Sequence, residues 1–126
     1  MPKKILIADD DQDTVSFLAS MLRANKYEVV VAFDGMQTIT VAHKEKPDLI
    51  LLDIMMPVRS GINIFENLKM SALTAIIPVI FITGVANSEI KQKALKMGAA
   101  DYIVKPFKTE YLLSKVKKVL GEQNRV

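Results

Sequence analysis

Five short apolar runs, Lys4–Ala8, Glu28–Ala32, Leu49–Leu52, Val79–Ile82 and Tyr102–Val104, alternate with longer segments of helical period. That alternation constrains the chain more than any other feature. Strands that alternate with helices favour a parallel sheet covered on both faces. The runs Ile5-Leu6-Ile7 and Leu49-Ile50-Leu51-Leu52 are continuously apolar, as strands buried on both sides should be. The expected fold is α/β: a doubly wound, five-stranded parallel sheet with five helices.

The helical segments carry readable ends. Val15, Leu18, Met21 and Leu22 sit at helical spacing, and Asn25 follows as the expected left-handed terminal residue. A second helix over 35–44 turns Ile39 and Ala42 inward. A third follows Gly61, with Ile64, Phe65 and Leu68 inward. Asn87 or Ser88 caps a fourth that stops at Gly98. Thr109 is expected to cap the fifth, whose stripe Leu112, Leu113, Val116, Val119, Leu120 is ended by Gly121. Residues 1–121 read as one domain and 122–126 as a tail. A chain of 126 residues is long enough to bury a core without disulfides or metals.

Composition removes several classes of function. The absence of cysteine excludes thiol catalysis and cysteine-based zinc sites. The apolar run Ala75–Ile82 is far short of the roughly 20 residues of a membrane span, and Pro78 interrupts it. A strand-like run follows Met1–Lys4 directly, so no secretory leader is expected and the expected location is the cytoplasm. The net charge of +3 is unevenly spread: residues 1–86 hold 8 basic and 10 acidic side chains, residues 87–126 hold 9 and 4. The basic third suits an acidic partner. Its only aromatics are Tyr102, Phe107 and Tyr111, so direct nucleic-acid binding is not expected.

In a doubly wound sheet, ligands sit outside the carboxyl ends of the strands. Asp9, Asp10 and Asp11 follow the first strand, Asp53 the third, Thr83-Gly84 the fourth and Lys105-Pro106 the fifth. Gathered at one edge, the carboxylates would repel one another unless a cation intervenes. Oxygen-only ligands favour a hard ion such as Mg²⁺, which is held by one or two carboxylates and keeps waters. The three charges of Asp9, Asp10 and Asp53 are offset by one divalent ion and Lys105. Asp11 or Asp13 can equally serve as a helix cap.

These residues, with Asp53-Ile-Met-Met-Pro57, Gly61 and Gly98-Ala-Ala-Asp-Tyr-Ile-Val-Lys-Pro-Phe107, resemble the receiver domain of two-component response regulators over almost the whole chain, from about 3 to 120. The resemblance implies a CheY-like, flavodoxin-like sheet of order 2-1-3-4-5. It implies Asp53 as phosphoacceptor, supplied by a histidine kinase or phosphotransfer protein. Mg²⁺ would be held by Asp10, Asp53 and the Met55 carbonyl, with Asp9 acting through a water. Lys105 would pair with one phosphoryl oxygen and the Thr83 hydroxyl with another, while small Gly84 leaves room. Thr83 and Tyr102 would form the switch, Tyr102 turning inward as Thr83 moves. Lys105-Pro106 would be a cis peptide. The readout would be the face of the fourth helix, fifth strand and fifth helix, which binds a downstream partner; receivers can also pair as homodimers there.

Arg59 departs from the family pattern, which places an apolar residue before Ser60-Gly61. Met55 and Val85 flank the site with apolar side chains, so slow self-dephosphorylation is expected. Met55 and Met56 would line the acidic pocket, and His43 would face solvent. No output domain follows, so the expectation is a stand-alone receiver, a relay intermediate or a fragment of a longer regulator. Two readings compete with this non-enzymatic one. An aspartate-nucleophile phosphohydrolase of the haloacid dehalogenase type would use Asp9 with Asp11, but it needs a substrate cap. A flavodoxin-like cofactor carrier needs phosphate-binding N–H groups, where Asp9-Asp10-Asp11 would repel a phosphate.

Overall fold

A computed structural model describes residues 2–56 and 59–122. Its five strands are β1 (Lys4–Ala8), β2 (Glu28–Ala32), β3 (Leu49–Leu52), β4 (Val79–Thr83) and β5 (Asp101–Val104). All pair in parallel, in the order β2-β1-β3-β4-β5. The helices are α1 (Gln12–Ala24), α2 (Gly35–Glu45), α3 (Gly61–Lys69), α4 (Ala72–Ala75), α5 (Ser88–Lys96) and α6 (Thr109–Val119).

The period-2 alternation of the strands divides the core in two. Leu6, Ile50, Leu52, Val79, Phe81 and Tyr102 face one side and pack with Ala42 of α2, Ile64, Phe65 and Leu68 of α3 and Ala94 of α5. Ile5, Ile7, Leu49, Leu51, Ile80, Ile82 and Ile103 face the other, against Val15, Leu18 and Leu22 of α1 and Leu112 and Val116 of α6. Phe65 and Phe81 meet edge to face at 5.5 Å, a favoured aromatic geometry.

Four local details differ from the sequence reading. The four-residue helix α4 is a sixth helix where five were expected, too short to show a period. Ser71 caps it, and it is tied to α3 by Thr74 Oγ1 donating to Leu68 O (2.6 Å) and Lys69 Nζ donating to Ala75 O (2.9 Å). The left-handed residue after α1 is Lys26 (φ 72°), not Asn25 (φ −98°). Asn25 instead donates its side-chain amide to Met21 O. Thr109 is the first residue of α6 and not its cap; Lys108 precedes it with no side-chain cap bond. His43 is half-buried, while Thr38 fills an inner position of α2 by returning its hydroxyl to Asp34 O (2.7 Å).

At the edge where the strands begin, Glu122, which the sequence assigns to the tail, is fastened to the body. Its N–H donates to Lys117 O, and its carboxylate accepts from the Tyr27 hydroxyl at 2.6 Å. Burial first, and then that bond and the Glu122 charge, push the Tyr27 phenol above its ordinary range. The unfolded chain releases this proton near pH 10. Above that pH the unfolded state therefore binds fewer protons than the native one, and stability falls as pH rises. Urea unfolding between about pH 8 and pH 11 should show that decline beginning near 10, and Tyr27→Phe should flatten it; an unchanged slope in the variant would assign the decline to other groups.

Candidate functional site

The strand order brings the ends of β1, β3, β4 and β5 side by side. Asp9 leaves β1 with its N–H on Ala32 O (3.1 Å), and Asp53 leaves β3 with its N–H on Ala8 O (3.0 Å). The sheet ladder thus continues one residue past each strand and carries both carboxylates. Asp9 and Asp53 are buried, at 3% and 7% exposure, while Asp10 faces outward. Carboxylate oxygens of Asp9, Asp10 and Asp53 lie within 4.8 Å of one another.

The Lys105 ammonium answers the two buried charges. It lies 2.8 Å from Asp9 Oδ2 and 3.4 Å from Asp53 Oδ2. Its main chain is fixed by Lys105 N–H donating to Thr83 O at 2.8 Å, and the Lys105–Pro106 peptide is cis. Burial alone would pull its proton affinity down. The hydrogen bond to Asp9 and the charges of Asp53 and Asp9 outweigh burial, so its pKa is held above the ordinary lysine value.

The remaining oxygens are held by main-chain donors. Asp9 Oδ1 accepts from Asp11 N–H (2.9 Å) and Asp53 Oδ1 from Met55 N–H (3.1 Å). Asp11 is a helix cap, accepting from Asp13 N–H and the Thr14 hydroxyl. The bond from Thr14 holds its carboxyl below the usual range. Three oxygen donors this close, with a single ammonium against three negative charges, suit a hard divalent cation.

Thr83 is fully buried at the end of β4, where its hydroxyl accepts from Val85 N–H (3.2 Å). Val85 O in turn accepts from the Tyr102 hydroxyl (2.6 Å). Tyr102, on the edge strand β5, already lies inward at 4% exposure, 6.2 Å from the Phe81 ring. Burial first, and then the Asp53 charge, raise its phenol pKa. Around Gly84 the space is open: a Cβ there would meet nothing within 4 Å.

The sequence reading therefore names residues that the fold brings together: Asp9, Asp10, Asp53, Thr83 and Lys105 at one edge, with Tyr102 one hydrogen-bond chain away. Met56 is a correction. It packs into the core with Ile54 and Ile62, and only Met55, 65% exposed, stands at the mouth. Arg59 is exposed near Gly35, and Pro57 lies outside the described residues. The reading missed the role of Gly61 beyond a helix start. Its N–H donates to Ile54 O at 2.7 Å, so the first residue of α3 lies directly on the Asp53–Ile54 main chain.

With one partner gone from a buried cluster, the remaining charges lose their compensation. Lys105→Ala should lose about 1–3 kcal/mol of stability in Mg²⁺-free buffer, read from urea unfolding followed by circular dichroism. Wild-type stability would mean the ammonium does not offset the two carboxylates.

The profile of the response regulator receiver domain matches residues 5–117. The phosphate regulon transcriptional regulatory protein PhoB of Pseudomonas aeruginosa is 41% identical over 118 residues, covering 94% of this chain and 52% of that protein. The alkaline phosphatase synthesis transcriptional regulatory protein PhoP of Bacillus subtilis is 37% identical over 120 residues, 95% of this chain and 49% of that protein. The chain thus spans about half the length of these relatives. Among solved structures, the receiver domain of a sensor histidine kinase of Pseudomonas aeruginosa superposes with a TM-score of 0.87 at 27% identity, covering 97% of this chain and 100% of that one. It is described with a magnesium ion coordinated in its active-site cleft.

Proposed function

The chain belongs to the response regulator receiver domain family, and from that premise we propose that Asp53 is its phosphoacceptor in a phosphorylation-controlled signalling switch. The supporting observation is a buried Asp53 carboxylate that pairs with Lys105 and shares a 4.8 Å cluster with Asp9 and Asp10. The donor is a phosphohistidine on a histidine kinase or phosphotransfer protein.

In the transfer, one oxygen of Asp53 attacks phosphorus. The O–P bond forms, the P–N bond breaks, and its electron pair returns to the imidazole nitrogen. The protein supplies position and charge compensation. Asp10, Asp53 and the Met55 carbonyl would hold Mg²⁺, with Asp9 acting through a water, and the bound ion would supply charge neutralisation for the phosphoryl group. Lys105 exchanges its 3.4 Å contact with Asp53 for a phosphoryl oxygen and keeps Asp9. The Thr83 hydroxyl, now an acceptor for Val85 N–H, turns to donate to another. Because Val85 also accepts from Tyr102, that turn perturbs β5 and the neighbouring faces of α5 and α6.

The helices α5 and α6 that flank this face, the fourth-helix, fifth-strand and fifth-helix surface of the sequence reading, carry exposed Lys91, Lys93, Lys96 and Lys118. The face suits an acidic protein partner. Among the described residues no helix is long and apolar enough to cross a membrane, and we assign the domain to the cytoplasm, where such kinases deliver phosphoryl groups. The competing phosphohydrolase would attack with Asp9. Both carboxylates have both oxygens engaged, but those of Asp9 are held closer, at 2.9 Å by Asp11 N–H and 2.8 Å by Lys105 against 3.1 Å and 3.4 Å at Asp53, which makes Asp9 the poorer nucleophile.

Intact-protein mass spectrometry after incubation with acetyl phosphate should show one added phosphoryl group only with Mg²⁺, and none in Asp53→Asn. Modification that survives Asp53→Asn would point to Asp9. The side chains of Met55 and Val85 offer no hydrogen-bond donor to orient a hydrolytic water. Replacing both with polar residues should shorten the phosphoaspartate lifetime by about ten-fold or more; an unchanged lifetime would rule out their control of hydrolysis.

A further inference from the structure

We propose that Gly61 is a positioning residue for the Asp53 turn, an inference that rests on the reading of Asp53 as phosphoacceptor. The backbone of Gly61 has no need of glycine's conformational range. Among the described glycines, positive φ occurs at Gly98 and Gly121 only. What Gly61 supplies is space. A Cβ there would overlap the Asp53 carbonyl oxygen and come within 2.9 Å of the Asp53 carbonyl carbon and of Ile54 Cα.

These obstacles are main chain, so no side-chain rotation can relieve them. Any side chain at 61 forces α3 away from the turn or moves the Asp53–Ile54 peptide. The contact is also bonded: Gly61 N–H donates to Ile54 O at 2.7 Å, while Met55 N–H closes the turn onto Asp53 Oδ1 at 3.1 Å. The 53–55 turn is therefore gripped on one side by the Asp53 carboxylate and on the other by the first N–H of α3. Ser60, whose hydroxyl accepts from Asn63 N–H at 3.3 Å, fixes that first helical turn. Displacing the peptide moves the Asp53 carboxylate relative to Asp9, Asp10 and Lys105. Such sites tolerate displacements of only about 0.5 Å.

The test compares wild type, Gly61→Ala and Val116→Ala. Val116 is fully buried among the residues packed with α1 and α6, away from this turn, so its variant reports the effect of lost stability alone. Mg²⁺ affinity is read from amide NMR titration with the ion alone, and the phosphorylation rate from acetyl phosphate. Gly61→Ala should bind Mg²⁺ about ten-fold or more weakly and be phosphorylated about a hundred-fold more slowly. Val116→Ala, though less stable than wild type, should keep wild-type values in its folded form. Wild-type affinity and rate in Gly61→Ala would overturn the inference. If Gly61→Ala does not fold, Ser60→Ala decides: several-fold weaker Mg²⁺ binding is expected, and wild-type affinity would overturn the proposal. If wild type itself takes no phosphoryl group, the reading of Asp53 fails, and the Mg²⁺ titration alone judges Gly61.

Discussion

The ammonium of Lys105 lets two buried carboxylates share one sheet edge. Asp9 and Asp53 leave adjacent strands with their main chains still in the ladder, so they cannot move apart to relieve repulsion. Desolvated carboxylates at such proximity require opposite charge or donors at each oxygen. Lys105 reaches both, and the N–H groups of Asp11 and Met55 take the other two oxygens. Lys105 can do this because its own N–H is bonded to Thr83 O, which fixes β5 to β4 at that level. The charge balance thus draws on all the strands that contribute to the site.

Within this arrangement Thr83 and Tyr102 are linked through a single residue. Val85 donates its N–H to the Thr83 hydroxyl and accepts the Tyr102 hydroxyl on its carbonyl. The link runs from the acidic edge to the side of the sheet covered by α5. In receiver domains phosphorylation acts as the switch, and a local change of charge needs a conformational element to bias. Here the loop at Val85 joins Thr83, at the acidic edge, to Tyr102 on the edge strand β5.

Much of this was legible in the residues alone, for physical reasons that differ by element. Strands β1 and β3, buried on both faces, read as unbroken apolar runs, and the half-buried edge strand β2 as the β-branched run Val29-Val30-Val31; these three were bounded to the residue, and β4 and β5 to within one. The gathering of Asp9, Asp10, Asp53 and Lys105 at one place was legible because a doubly wound sheet brings the ends of its strands to one edge. Details decided by competition between nearly equal local options were not. Lys26 rather than Asn25 takes the left-handed position because the Asn25 amide finds Met21 O instead. Met56, four residues beyond the end of β3 at Leu52, turns into the core where no period predicts it. Thr38 resembles a surface residue in sequence, and only its bond to Asp34 O makes its burial affordable. The close approach of Gly61 to the Asp53–Ile54 main chain joins the two ends of the β3–α3 connection, which no pattern along that connection reveals.

The sheet separates two cores, and each strand commits alternate residues to one or the other. Ala8 pairs with both Ala32 and Leu52, Leu52 with Phe81, and Thr83 with Val104. A slip of one residue in any strand would send its apolar side chains to the wrong faces. The same slip would carry Asp9, Asp53, Thr83 or Lys105 out of line with the others. Misassembly of the chemistry is therefore coupled to misassembly of both cores, and the apolar alternation acts as an error check: a chain that satisfies its interior has, by the same registration, aligned its acids and its lysine.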